Sequence, residues 1–138
     1  MFIRNLFIFG LCLALLLAPS FANECDTAIA QSQIDACATL ELKQADAQLN
    51  EAYGELKARY TKLGKVQGKL VEAQRAWLKF RDAECALTVF PNLGTTVETM
   101  VKSQCLATLT RQRLSDIRVK LSCQEGDYTC IADGDAAD

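Results

Sequence analysis

Two hydrophobic patterns divide the chain. From Leu6 to Ala18 every residue except Gly10 is apolar, whereas beyond residue 40 apolar residues recur at steps of three and four among charged ones. The first pattern is a leader. Met1-Phe2-Ile3-Arg4 is a short basic start, the apolar run is 13 residues long, and Pro19 ends it. Ser20 and Ala22 place small residues before a cut after Ala22, the arrangement of a secretory signal peptide over residues 1–22. A membrane span needs ~20 apolar residues, so no stable anchor is expected once the leader is removed. Neither Cys12 nor Cys25 follows a lipoprotein-type triplet. The product is expected to be periplasmic or secreted.

The second pattern predicts helices. Residues 36–88 are rich in Ala, Leu, Lys, Gln, Glu and Arg, all strong helix formers. Ser32 with Asp35 resembles a capping box that opens a first helix. Its apolar positions include Leu42, Ala45, Leu49, Ala52, Tyr53, Leu56, Tyr60 and Leu63, and Gly64 is the expected stop. A second helix is expected from about Val66 to Val89, with Leu70, Ala73, Trp77, Phe80 and Leu87 on one side. Pro91-Asn92-Leu93-Gly94 breaks it. Thr95-x-x-Glu98 is a second capping box, for a helix carrying Val97, Val101, Leu106, Leu109, Leu114, Ile117 and Leu121. The expected fold is all-α: a long antiparallel helical hairpin plus a third helix, stapled by disulfides. The helical domain is expected over residues 23–122, with a short acidic tail over 123–138.

Composition narrows the chemistry. The chain has no histidine, which excludes Ser-His-Asp and Cys-His catalysis and imidazole zinc sites. Cys25, Cys37, Cys85, Cys105, Cys123 and Cys130 remain after the leader, an even set in an exported domain, so disulfides are expected. With no Cys-x-x-Cys pair, neither a metal nor a redox site is expected, and no cofactor either. Side chains on helices lean toward their own N-termini, which brings Cys85 and Cys105 together across an antiparallel pair. The favoured pairing is Cys25–Cys37, Cys85–Cys105 and Cys123–Cys130; the alternative joins Cys25 or Cys37 to the third helix. Asp133-Gly134-Asp135 is too short for an EF-hand loop.

Charge is segregated. Residues 41–120 hold every base after the leader and carry a net +5, while residues 121–138 hold five acids and no base. A formal charge of −2 for the whole chain argues against nucleic-acid binding. Lys57, Arg59, Lys62, Lys65 and Lys69 cluster around the first turn. They read either as a solvated helix end complementing the dipole or as an anion-binding tip.

If the first two helices turn near Gly64, Asp46 faces Arg81, Asn50 faces Trp77 and Tyr53 faces Gln74. Asp46 can accept from Arg81, and Asn50 can accept from the Trp77 indole. The favoured reading is a structural network that fixes register. An aspartate facing an arginine is a poor general acid. Asp82 and Glu84 are two residues apart, so they point in different directions and form no glycosidase dyad. No enzyme is expected.

Cys25 and Cys37, the Ala45-Asp46-x-x-Leu49-Asn50-x-x-Tyr53 stretch, the Ala73-Gln74-Arg75-Ala76-Trp77-x-x-x-Arg81-Asp82-Ala83-Glu84-Cys85 block, Cys105 and Arg113 together resemble the lysozyme inhibitor LprI-like domain family. The resemblance spans Cys25 to Leu121. It implies a small exported helical bacterial domain that binds and inhibits lysozyme, by protein–protein contact rather than catalysis. The loop Pro91 to Thr96 holds less glycine than the family pattern, and the acidic tail with Cys123 and Cys130 is an addition to it. Many lysozymes are basic, as is the helical middle of this chain, so binding is expected to use either an acidic end, with Glu125, Asp127 and Asp133 to Asp138 as candidates, or a surface that does not rely on charge. The alternative is an envelope interaction module with another partner, using the basic tip.

Overall fold

A computed structural model of the chain describes residues 21–128, 130 and 131. Most of the expected leader and the residues Asp133 to Asp138 therefore lie outside the described residues. Four helices succeed one another: α1 (Phe21–Asp26), α2 (Gln31–Arg59), α3 (Gly64–Val89) and α4 (Glu98–Leu121). Short 3-10 turns, Tyr60–Lys62 and Phe90–Asn92, come after α2 and α3. No strand occurs among the described residues. α1 runs across the expected cut after Ala22.

The helix ends differ from the sequence expectations. α2 starts at Gln31, so Ser32 lies inside it, and the Gln33 side chain accepts the Ala30 N–H at 3.2 Å. Gly64 opens α3 instead of stopping α2; the stop is the 3-10 turn, tied by Gln67 Nε2 donating to the Lys57 carbonyl at 3.0 Å. α4 starts at Glu98, not Thr95. The Glu98 carboxylate accepts the Gly94 N–H at 2.7 Å, while Thr95 Oγ1 donates to the Asn92 carbonyl at 2.7 Å. Both side chains thus bind the loop that precedes the helix. Gly94 has φ +75°, a left-handed conformation that glycine adopts without strain.

α2 and α4 run parallel, with α3 antiparallel to both. Arg59 meets Leu121 at one end, and Glu41 meets Arg111 toward the other. The closest helix pair is α2 with α4, while α3 leans mainly on α4. The expected long antiparallel hairpin of the first two helices is present, and its two arms are held together mainly through α4. The cause is side-chain size. α2 buries Ala38, Ala45, Leu49, Ala52 and Leu56; α4 buries Ser103, Ala107, Thr110, Leu114 and Ile117. Small residues on both stripes let the two backbones approach. On α3, by contrast, the bulky Trp77 and Arg81 stand between it and its neighbours.

The core lies toward the α2–α3 turn. Leu49, Ala52, Leu56, Tyr60, Leu70, Leu114 and Ile117 form it, and Tyr53, Trp77 and Ile131 pack against it. The opposite end buries mainly small residues, Ala38, Ala45 and Ala107, with Cys85 and Val89. There the Cys85–Cys105 disulfide joins α3 to α4, and Cys25–Cys37 joins α1 to α2. Cys123–Cys130 closes a loop after α4. These are the favoured pairings, and cross-links of this kind stabilise a domain with a thin core.

α3 is rotated from the expected orientation. Its buried residues are Leu70, Gln74, Cys85 and Val89. Phe80 and Leu87, expected on the buried side, are 55% and 70% exposed, and Ala73 is exposed as well.

Candidate functional site

The polar residues of the three long helices meet at mid-bundle, with Arg81 at the centre. Its Nη1 donates to Asp46 Oδ1 on α2 at 3.1 Å and to Thr110 Oγ1 on α4 at 3.2 Å. Thr110, fully buried, donates in turn to Asp46 at 3.4 Å. Asp82 holds the other edge of the guanidinium, at 3.0 Å from both Nε and Nη2. One arginine thus joins three helices, and its planar fork suits several acceptors at once.

Trp77 sits between two cations. The Arg81 and Arg113 guanidinium carbons lie 5.2 and 5.9 Å from its ring, within reach of cation–π attraction. Arg113 Nε also donates to Gln74 Oε1 at 3.0 Å. The expected facing pairs are therefore partly rearranged. Asp46 meets Arg81, whereas Asn50 is exposed and Trp77 is covered by arginines instead. Gln74 pairs with Arg113 rather than Tyr53, whose ring packs on the core. Because α4 intrudes, Thr110 and Arg113 take positions that a two-helix register does not supply. Thr110 carries no signal in the sequence, since a threonine within a helix has no distinctive spacing.

Among the described residues every buried side-chain nitrogen and oxygen has a partner. The cluster satisfies itself, leaving no buried polar group aimed at a ligand. Beside it, Asp46, Asn50, Tyr53, Gln74 and Arg81 line an open cleft of about 320 Å³ between α2 and α3. Asp82 is engaged by Arg81, while Glu84 is exposed farther along α3. No group of three or more potential metal-ligating side chains occurs among the described residues.

Two surfaces stand apart from this cluster. At the end with the thin core, Phe80, Leu87, Phe90 and Leu93 are all more than half exposed. Phe80 and Leu87 share a face of α3 at a step of seven, and Phe90 and Leu93 come next in the turn. Acids lie toward this end on all four helices, Glu24 and Asp26 on α1, Asp35 and Glu41 on α2, Glu84 on α3 and Glu98 on α4, with Lys43, Lys79 and Lys102 interspersed among them. At the opposite end lies the basic tip. Its five candidates are not equivalent there. Arg59 Nη1 donates to the Leu121 carbonyl at 2.7 Å, where a cation complements the α4 C-terminus. Lys69 pairs with Glu72 at 2.8 Å on the open surface, which raises the lysine pKa and lowers that of the glutamate. Lys57 lines the α2–α3 cleft, whereas Lys65 faces the α3–α4 side. Lys62 is exposed in the turn.

The family described as Lysozyme inhibitor LprI matches residues 22–117. The chain belongs to the LprI lysozyme inhibitor family. An uncharacterized protein of Rhizobium meliloti (strain 1021), R02472, is 34% identical over 123 residues, which cover 78% of this chain and 88% of that protein. A crystal structure of a DUF1311 family protein from Pseudomonas putida KT2440 has 25% sequence identity and a TM-score of 0.61. That likeness covers 67% of this chain and 94% of the other. The match to the LprI family ends at residue 117, so Arg118 onward, including Lys120, Cys123 and Cys130, lies beyond it. Among the described residues no helix is long and apolar enough to cross a membrane.

Proposed function

We propose that this LprI family member is an exported, non-catalytic lysozyme inhibitor, and that it binds through the acidic end of the bundle around Phe80, Leu87 and Phe90. One observation carries the choice of surface: three large apolar side chains, 55–70% exposed, stand on a disulfide-stapled scaffold, with the exposed Glu84 on the same helix. Aromatic and apolar anchors with a polar rim are the usual anatomy of a binding patch. An acidic rim attracts a basic hydrolase and steers its approach. Glu125 and Asp127 of the tail lie beyond α4, toward the end of the bundle that carries the basic tip.

Non-catalytic action follows the family description, and among the described residues the charges of the polar cluster, Asp46, Arg81 and Asp82, are paired with one another. Three disulfides agree with a periplasmic or secreted location, since such bonds persist in oxidising compartments. The test is a titration of the purified, oxidised protein against a vertebrate and a bacteriophage-type lysozyme. Stoichiometric inhibition that disappears on reduction is expected. Undiminished lysozyme activity at a large molar excess of the protein contradicts the reading and returns the basic tip as the interaction surface.

A further inference from the structure

The basic tip carries a partly open pocket that the proposed inhibitory surface does not use. It measures about 410 Å³ and lies between the start of α3, the end of α4 and the segment after α4. Tyr60, Val66, Leu70 and Ile131 give it an apolar lining. Lys65, Lys69, Lys120 and Arg113 stand around it. The lysines are exposed or half-exposed. The chain turns back to build one wall: Cys123–Cys130 closes the loop, and Tyr60 Oη donates to the Ile131 carbonyl at 3.1 Å. Lys120, Cys130 and Ile131 all lie past residue 117, where the family match ends. The cavity is therefore completed by residues outside the matched bundle.

We propose that this cavity binds a single-tailed anionic amphiphile, a carboxylate or phosphate headgroup on one alkyl chain. Its volume falls within the usual small-molecule range of about 300–1,000 Å³. The lining matches an alkyl chain, which needs no hydrogen bonds, and all buried polar side chains among the described residues are already paired. The three lysines match a headgroup that stays at the water boundary, with lysine stems extending along apolar surface. Lys69 is held by Glu72 at 2.8 Å, so Glu72 competes with the headgroup for that cation.

The test uses the purified, oxidised protein with laurate and lysophosphatidylglycerol, each below its micelle concentration. Dodecyl maltoside and dodecyltrimethylammonium serve as uncharged and cationic controls. Calorimetry measures binding, and the emission of Trp77, the single tryptophan, reports the site through its neighbour Arg113. Saturable one-to-one binding of an anionic probe is expected, at least tenfold tighter than either control. Comparing laurate with the lysophospholipid distinguishes a free fatty acid from a lipid headgroup as the source. Lys65→Glu with Lys69→Glu weakens binding at least tenfold, and Glu72→Gln tightens it. Ala73→Phe, at an exposed position that lines the cavity, abolishes binding while the far-ultraviolet dichroism stays unchanged. Equal binding of all four probes, or anionic binding unaffected by Ala73→Phe, overturns the proposal. Binding seen only after removal of residues 132–138 also overturns it and assigns the cavity to the acidic end of the chain itself.

Discussion

Arg81 ties three helices together through several partners, so the loss of any one of them leaves the others in place. Its side chain is only 14% exposed, and its carboxylate partner Asp46 is 41% exposed. Because Asp82 and Thr110 remain as partners, Asp46→Ala does not strand the guanidinium. The expected cost is about 1–2 kcal/mol, in the range of one charged hydrogen bond, reduced by solvent at the aspartate. Chemical denaturation measures it. Thr110→Val keeps the shape and removes the hydroxyl that both accepts from Arg81 and donates to Asp46; a loss of about 1 kcal/mol is expected. The fully buried Leu56 sets the scale for packing. Leu56→Ala should cost about 2–5 kcal/mol, more than either polar change. Thermal midpoints in the reverse order contradict this ranking. The Asp46–Arg81 pair is legible in its helical spacing, because opposite charges placed at one level leave few alternatives. The placement of Trp77 is not legible there, since its cover includes Arg113 from a helix outside the two-helix register.

At the scale of elements, the existence, order and type of the three long helices derive from the spacing of apolar residues, and the Cys85–Cys105 pairing from the lean of helical side chains. What spacing does not reveal is which helices lie closest. Alanine favours helix by propensity, but Ala38, Ala45, Ala52 and Ala107 also allow close approach because they are small. Ala107 is fully buried, so Ala107→Leu should force α2 and α4 apart and cost at least about 1–3 kcal/mol. Spacing also misplaces the buried face of α3. Leu70, Trp77, Phe80 and Leu87 form a broad stripe; the bundle buries Leu70 with Gln74, Cys85 and Val89 and packs Trp77 partly against the core, while Phe80 and Leu87 stay exposed. The capping boxes fail for a local reason: Glu98 reaches back to a loop amide rather than to the residue before α4. Cys85–Cys105 spans 20 residues where the core is thin. Replacing both cysteines by alanine should lower stability by about 3 kcal/mol on the loop-closure relation, which differential scanning calorimetry checks.

Across the whole molecule, the basic cluster and the exposed apolar residues of α3 lie toward opposite ends. Phe80, Leu87 and Phe90 with Glu84 and Glu98 lie toward one end, and Lys57 to Lys69 with Lys120 toward the other, where Glu72, Glu125 and Asp127 also lie. The sequence shows this charge segregation only by residue interval; the antiparallel course of α3 is what brings Asp82 and Glu84 alongside the acids of α1 and α2. Association with a basic enzyme should slow as salt rises from about 50 to about 300 mM, because rim charges act mainly on the encounter rate. The most direct measurement compares lysozyme inhibition by the wild-type protein, by Leu87→Asp with Phe90→Asp, and by Lys62→Glu with Lys65→Glu, all with the same thermal midpoint. Binding through the acidic end predicts that the first pair weakens inhibition about a hundredfold or more, as hot-spot losses of about 2 kcal/mol each imply, while the second pair leaves it unchanged. Inhibition that survives the α3 substitutions and disappears with the lysine reversals would place the inhibitory surface at the opposite end of the bundle.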